Sequence, residues 1–304
     1  MSMKGIAKQA FRTLGFEVKR VPRALNGRIY DQRGGIPWSP GYGEARAQFL
    51  RQVLDDPARL DAFRELGRLP EHYGFGFDER CVEYPWLFSQ LHAEPEILLD
   101  AGSVLNHDFI LDQPLFQRKK LHILTLGPED NCFWHKGISY LYDDLRDVPI
   151  RDDYYDTIVC LSTLEHVGYD NSFYKKDKAA REQRADDFVL AIQTLRRILK
   201  PGGSLLLSVP FGAYRQFGTF QQFDQDLLVR AIAAFGKARK VTQTFYRYDV
   251  NGWQVASAAD CAASEYVGWV AEVWLRRQWP EPLPVEHDRA AAARAVACVC
   301  LTKA

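Results

Sequence analysis

The stretch EILLDAGS, residues 96 to 103, decides the fold of this chain. It is a short apolar run of the length of a buried strand, with Asp100 and Gly102 at its carboxyl end. Similar runs follow at LHILTL (121 to 126), DTIVCLS (156 to 162) and GSLLLSVP (203 to 210), and helical patterns separate them. This alternation predicts an α/β fold with parallel strands joined by crossover helices.

The helix before the last of these runs, about 182 to 199, has apolar residues at the spacing of one buried face. LKPGG (199 to 203) ends it, because Pro201 cannot continue a helix and the glycines permit a reversal. In an open parallel sheet, ligands bind outside the carboxyl ends of the strands. The site is therefore expected just after Leu99.

Composition and charge exclude several classes of protein. Among 304 residues, 47% are hydrophobic and 26% are charged, as in ordinary globular proteins. The 39 Lys and Arg balance the 39 Asp and Glu, so no global field attracts nucleic acid, and we expect no nucleic-acid partner. No apolar run reaches the roughly 18 residues of a membrane-spanning helix, and the six cysteines follow no metal-ligand spacing. We therefore predict a cytoplasmic protein with reduced cysteines.

The chain divides into three predicted parts. Residues 1–43 combine a short basic amphipathic helix with a Gly- and Pro-rich loop, residues 44–95 form a helical cap, and residues 96–304 form the main domain. The basic helix could pack on its own domain, dock on a partner protein or lie on the inner face of the membrane. The cap ends in an aromatic-rich helix, ERCVEYPWLFSQL (79 to 91), directly before the first strand.

The order of four motifs resembles class I S-adenosylmethionine-dependent methyltransferases. The motifs are LLDAGS, DDLRDVPIRDDYYDTIV, LEHV and LRRILKPGGSLLLSVP, within residues 79 to 212. The resemblance implies a doubly wound, mostly parallel, seven-stranded Rossmann-like sheet with an N-terminal helical extension. It also implies that S-adenosylmethionine is the cofactor and that the last pair of strands is antiparallel.

The resemblance also implies where each part of the cofactor lies. The loop after the first strand would meet the methionine and ribose, the acidic loop before the fourth strand would receive the adenine, and the end of that strand would pass beside the sulfonium. Arg80 or Glu83 would reach the amino-acid end from the preceding helix. The residues of the loop after the first strand are Asp100, Ala101, Gly102 and Ser103. Those of the acidic loop are Asp144 and Leu145, and those at the end of the fourth strand are Leu161 and Ser162.

This sequence departs from the family pattern at two places. Val104 and Asn106 stand where the family often has small residues. The acid that normally ends the second strand and binds ribose is displaced, since Thr125 occupies its place and Glu129 follows four residues later. We assign both Thr125 and Glu129 to the cofactor site.

His166 is the first candidate for the general base, because it follows the fourth strand on the acceptor side and histidine titrates near neutrality. Glu165 is its predicted catalytic neighbour. In the alternative interpretation, Glu165 supports a helix N-terminus and His166 packs structurally; His107 and His135 are further candidates. Relatives that bind a metal through Glu-His have another acid where this chain has Ser162, so we predict no metal.

The N-terminal segment bears on the acceptor. A basic N-terminal helix before such a core resembles enzymes of bacterial surface-polysaccharide biosynthesis, which implies O-methylation of a sugar or glycan. A small metabolite or natural product is the alternative acceptor, and a non-catalytic interaction subunit with the same fold is a second alternative. A nicotinamide-dependent oxidoreductase would need a G-x-G-x-x-G loop, which DAGSVLNHD lacks.

Overall fold

An eight-stranded sheet forms the centre of the computed structural model, which describes residues 23–175 and 181–304. A separate two-stranded ribbon joins β6 and β7. The strands are β1 (Ile97–Ala101), β2 (Lys120–Thr125), β3 (Ser139–Tyr142), β4 (Tyr155–Leu161), β5 (Leu199–Pro210), β6 (Arg215–Gln216), β7 (Gln221–Gln222), β8 (Ala238–Asp249), β9 (Gly252–Ala256) and β10 (Ala295–Lys303).

The strand order across the sheet is β3-β2-β1-β4-β5-β10-β8-β9. The first five strands in this order pair in parallel, and β10 is antiparallel to both of its neighbours. The mostly parallel sheet and its antiparallel end therefore agree with the prediction. The described sheet has eight strands where seven were predicted, because the hairpin of β8 and β9 adds an edge strand. The short edge strand β3 was not identified from the sequence.

Alternate residues of the strands enter two hydrophobic cores on opposite faces of the sheet. In β1, Leu98 belongs to one core and Leu99 to the other. In β10, Cys298 and Val299 divide in the same way. Because successive side chains of a strand point to opposite faces, both faces must be covered by helices. This arrangement is the doubly wound architecture.

Ten α-helices lie in the described residues, several of them a single turn long. The helices before the sheet are α1 (Arg23–Gln32), α2 (Tyr42–Leu54), α3 (Pro57–Arg64) and α4 (Arg80–Gln90). Those that follow are α5 (Asp108–Leu111), α6 (Ser172–Lys175), α7 (Phe188–Ile198), α8 (Gln225–Phe235), α9 (Ala258–Cys261) and α10 (Gly268–Arg276).

Buried residues of α2, α3 and α4 join one core, and those of α7 and α8 join the other. A helix occupies Arg23–Gln32, where a Gly- and Pro-rich loop was expected. The glycines and prolines cluster after Asp31, so the loop is confined to the later part of that segment. The basic helix predicted near residues 1–23 lies outside the described residues, apart from its last residue. The boundaries of the three parts stay a prediction.

Two further observations concern the cysteines and the length of the apolar helices. Each of the six cysteines is a free thiol, and Cys81, Cys160, Cys261 and Cys298 are buried. Within the described residues, no helix combines the length and the apolar composition needed to cross a membrane.

Candidate active site

A cavity of about 240 Å³ lies at the carboxyl ends of β1, β2 and β4. The crossover connections direct these three strand ends to the same edge of the sheet, which is where an open parallel sheet binds its ligands. The predicted site residues that line this cavity are Gly102, Thr125, Glu129, Asp144, Leu145, Ser162, Glu165 and His166. The lining from the described residues leaves out Glu83, Asp100, Ala101, Ser103 and Leu161.

Asp100 supports the loop after β1 from inside the protein. Its carboxylate accepts hydrogen bonds from the backbone N–H of Val104 at 3.1 Å and of Leu105 at 2.7 Å. Burial raises the pKa of Asp100 to about 7, although these two N–H groups favour the charged form. Asp100 therefore shapes the loop that faces the cavity. Ala101 lies in the core, and the hydroxyl of Ser103 has no hydrogen-bond partner among the described residues.

Gly102 lies where the loop after β1 meets the end of β4. Its φ is +125°, and a Cβ placed there would lie 2.1 Å from the Oγ1 of Thr163. The N–H of Gly102 donates to the carbonyl of Leu124 at the end of β2. A side chain at this position would separate strand ends that together form the cavity wall.

Glu83 lies on α4 and orients the end of β4. One of its oxygens accepts hydrogen bonds from the hydroxyls of Ser162 at 2.6 Å and Ser208 at 2.5 Å, and the other accepts from Arg80 at 2.7 Å. Ser162 has a positive φ of 39°, and its N–H donates to Ser208. Glu83 is fully buried and supports Ser162 from behind the cavity wall. Arg80, in contrast, lines the cavity itself.

Asp144 begins the acidic loop after β3 and lies in the cavity wall. Its two carboxylate oxygens bind Arg146 at 2.9 and 2.7 Å. Arg146 also binds Glu182 and Asp187, and its hydrogen bond to Glu182 lowers the pKa of that carboxyl group. This network fixes the Asp144 carboxylate and the following amide of Leu145 at the cavity. The sequence indicated Asp144 but not the arginine that orients it.

Asn106, one of the departures from the family pattern, has a role in the structure. Its side-chain amide donates to Glu129 at 2.7 Å, and its carbonyl oxygen accepts from the hydroxyl of Tyr140 at 2.8 Å. These contacts hold Glu129 in the cavity wall beside Thr125, the last residue of β2. The two residues assigned to the displaced ribose position therefore lie at one site.

His166 and Glu165 follow β4 in a 3₁₀ turn, Leu164–His166. The Nδ1 of His166 contacts the carbonyl of Thr219 at 2.9 Å. Burial lowers the pKa of His166 to about 4, so the ring is neutral at neutral pH. Glu165 is only 2% exposed, and burial raises its pKa well above the usual value. One of its oxygens, Oε2, has no hydrogen-bond partner among the described residues.

The other candidate histidines lie elsewhere. His107 precedes α5 and stacks on Phe109, and His135 is exposed in a 3₁₀ turn; neither is in the cavity lining formed by the described residues. His122 lies within β2 and contacts the hydroxyl of Tyr155 at 3.0 Å. Position after a strand was not enough to distinguish these histidines from His166.

The cavity wall also contains residues that the sequence analysis did not assign. Glu79 comes from the turn before α4, and the aromatic residues Phe220, Tyr266 and Trp274 come from the carboxyl-terminal third. Pro210, the last residue of β5, is also part of the lining. No local pattern marks Tyr266 or Trp274, because only the packing of α10 brings them to the strand ends.

In the described part of the chain, the side chains close enough together to hold a metal ion are Glu286, His287 and Asp288. Arg294 forms ion pairs with Glu286 and Asp288. These residues are not part of the lining of the described cavity. The prediction that the active site uses no metal stays a prediction.

Comparison with known proteins gives one family match and several distant structural likenesses. No curated protein matches the chain. An S-adenosylmethionine-dependent methyltransferase from Methanosarcina mazei has 12% identity and a TM-score of 0.41, covering 72% of this chain and 97% of that one. A Burkholderia thailandensis 1,6-didemethyltoxoflavin-N1-methyltransferase, with S-adenosylhomocysteine bound, has 12% identity and a TM-score of 0.41, covering 95% of this chain and 94% of that one. Likeness at this level says nothing about the acceptor.

Residues 125–207 match a family model described as a methyltransferase domain. The match begins at the end of β2 and runs into β5, so it includes the Asp144 loop, β4 and His166. It agrees with the predicted cofactor, S-adenosylmethionine. The strand order around the matched stretch includes the antiparallel β10. The family match and the mostly parallel sheet thus indicate a methyltransferase fold, consistent with the class I, Rossmann-like type.

Proposed function

We propose that this protein transfers the methyl group of S-adenosylmethionine to an oxygen atom of an acceptor. The observation that carries the proposal is that Gly102, Asp144 and His166, from three separate parts of the chain, line one cavity at the strand ends. Such a cleft at the strand ends of an open sheet is where a bound nucleoside fits.

The residues of the cavity fit the cofactor chemically. Asp144 and Glu129 present carboxylates that can accept hydrogen bonds from the adenine amino group and the ribose hydroxyls. Arg80 presents a guanidinium group, which suits the carboxylate of the methionine part. Gly102 places backbone without a side chain in the cavity wall. When bound, S-adenosylmethionine supplies a methyl group on a positively charged sulfur.

His166 would act as the general base. A carbonyl oxygen only accepts hydrogen bonds, so Nδ1 of His166 must carry the proton and donate it in the hydrogen bond to Thr219. In the neutral ring, Nε2 therefore keeps its lone pair. The lowered pKa keeps this nitrogen unprotonated at neutral pH. Nε2 can therefore take the proton of an acceptor hydroxyl as the methyl group transfers.

The acceptor in this proposal is a sugar or glycan of surface-polysaccharide biosynthesis. The aromatic rings of Phe220, Tyr266 and Trp274 offer flat apolar faces of the kind on which a sugar ring can pack, and neighbouring carboxyl groups can bind hydroxyls. The basic segment before the described residues would bring the enzyme to a partner or to the membrane where glycans are assembled. The assignment to surface-polysaccharide biosynthesis is supported by the resemblance of this basic segment, placed before such a core, to enzymes of that pathway.

Calorimetry with S-adenosylhomocysteine tests the first step, and we expect one binding site per chain. Transfer of labelled methyl groups to a panel of nucleotide sugars and glycans then tests the acceptor, with small metabolites as a parallel panel. Absence of cofactor binding would reject the proposal. Binding without transfer to any acceptor would favour the non-catalytic alternative, and transfer to metabolites alone would reject the glycan.

A further inference from the structure

Glu79 and Glu165, called here the acid pair, both line the acceptor side of the cavity. Glu79 accepts a hydrogen bond from the N–H of Ala293 at 3.2 Å. Glu165 is almost fully buried, yet its Oε2 has no partner among the described residues. A buried carboxyl oxygen without a partner is costly in a folded protein. Because Glu165 lines the cavity, a ligand that enters can supply the partner of this carboxyl group.

Two arginines near the acid pair have anionic partners, and a third packs on aromatic rings. Arg80 binds Glu83 at 2.7 Å, and Arg46 forms an ion pair with Asp78. Arg277 stacks over the rings of Trp274 and Tyr174. With Arg80 paired to Glu83 and Arg46 to Asp78, neither member of the acid pair has an ion-pair partner of its own among the described residues.

Aromatic rings complete the same wall. The rings of Phe220 and Tyr266 lie 4.9 Å apart at an interplanar angle of 61°, and Trp274 is a further lining residue. The face of an aromatic ring attracts a cation by its quadrupole. Carboxyl groups and aromatic faces in one wall therefore favour a positively charged group over a neutral one.

The protonation of the acid pair is consistent with such a ligand. Burial raises the pKa of Glu165, and the negative charges of Glu83 and Glu79 add to the effect. Burial likewise raises the pKa of Glu79, with contributions from Asp78 and Glu83. Without a cation beside them these carboxyl groups tend to keep their protons. An ammonium group that entered would displace a carboxyl proton to solvent, and an ion pair would form.

Resting on the function proposed above, we infer that the acceptor carries an amino group, which the acid pair binds as an ammonium ion while the oxygen to be methylated lies beside His166. The substrate class is thereby narrowed from sugars in general to amino sugars or glycans that contain them. A neutral sugar would leave the Oε2 of Glu165 without a charged partner.

The test compares glucosamine with glucose, which differ at one position by an ammonium group in place of a hydroxyl. Saturation-transfer NMR on the full chain with excess S-adenosylhomocysteine measures the weak binding of each sugar. We expect glucosamine to bind at least about tenfold more tightly than glucose. Glu165→Gln should remove most of this preference, while Glu71→Gln, an exposed acid outside the cavity, should keep it.

The outcomes separate the inference from the function on which it rests. If S-adenosylhomocysteine does not bind, the proposed function fails. If it binds but glucosamine has no advantage over glucose, only the amino-group inference is overturned, and the wild-type protein alone decides this. A preference that survives in both Glu165→Gln and Glu79→Gln also overturns it. If Glu165→Gln weakens S-adenosylhomocysteine binding and leaves the sugar preference intact, Glu165 binds the cofactor instead.

Discussion

The carbonyl of Thr219 orients the ring of His166 through a hydrogen bond of 2.9 Å. Because a carbonyl oxygen can only accept, Nδ1 of His166 is the donor. Thr219 precedes Phe220, whose ring centroid lies 5.4 Å from that of His166. The segment around β6 and β7 thus fixes both the tautomer and the position of the proposed base. A histidine held in this way is ready to accept a proton at Nε2.

Replacing His166 by alanine should lower turnover by about 10²–10⁴, the range for a positioned general base. The affinity for S-adenosylhomocysteine should stay within about threefold, since Nε2 is assigned to the acceptor. Steady-state kinetics and calorimetry measure the two effects. His92→Ala, an exposed histidine outside the cavity, is the matched control. Full turnover in His166→Ala would remove this residue from the mechanism.

The pH profile of turnover should have an acid limb near the lowered pKa of His166, about 4, and not near its ordinary value of 6.5. Above that pKa the ring is neutral and can accept a proton. The same shift makes the fold less stable in acid, because between pH 6.5 and 4 the unfolded chain binds a proton that the folded ring does not. Turnover and thermal stability measured together from pH 4 to 8 test this, and a limb near 6.5 would contradict it.

Replacing Asp144 by alanine should weaken cofactor binding by about 1–3 kcal/mol, the cost of a buried hydrogen bond left unmade. The change also removes one partner of Arg146, so a loss of stability is expected as well. Asp187→Asn is the control, since it removes another partner of Arg146 outside the cavity lining. Calorimetry should detect weaker binding in the first variant only. Equal dissociation constants would show that the adenine lies elsewhere.

Replacing Gly102 by alanine should destabilise the fold by about 2–5 kcal/mol, from the strained φ and the clash with Thr163. Gly43→Ala, where a Cβ meets nothing within 4 Å, should be close to neutral. Denaturant unfolding measures both free energies. Partial rescue of Gly102→Ala by Thr163→Ala would identify the contact responsible. A Gly102→Ala variant of normal stability would show that the backbone of Gly102 and the side chain of Thr163 are farther apart than described.

Replacing Glu83 by glutamine should cost about 3–5 kcal/mol of stability, because it leaves the guanidinium of Arg80 without its buried anionic partner. The affinity for S-adenosylhomocysteine should also fall, since the hydroxyl of Ser162 loses a charged acceptor. Glu272→Gln breaks an exposed ion pair with Arg276 and should cost less than about 1 kcal/mol. Similar unfolding free energies for the two variants would contradict the assigned role of Glu83.

The sequence was sufficient to predict the central architecture and much of the cavity. Apolar runs separated by helical patterns identified β1, β2, β4 and β5. Parallel strands joined by crossovers bring their carboxyl ends to one edge. For this reason Gly102, Asp144 and His166, recognised separately along the chain, could be assigned to a common site before their contacts were known.

Only the tertiary structure distinguished the residues that face the cavity from those that support its wall. Asp100 and Glu83 have the residue type and place of ligand contacts, yet their oxygens bind the protein itself. Glu79 and Tyr266 lie nearly 190 positions apart in the chain and line the same wall. The local sequence determines where each strand and helix forms. The direction of a side chain and its distant neighbours depend on how those elements pack.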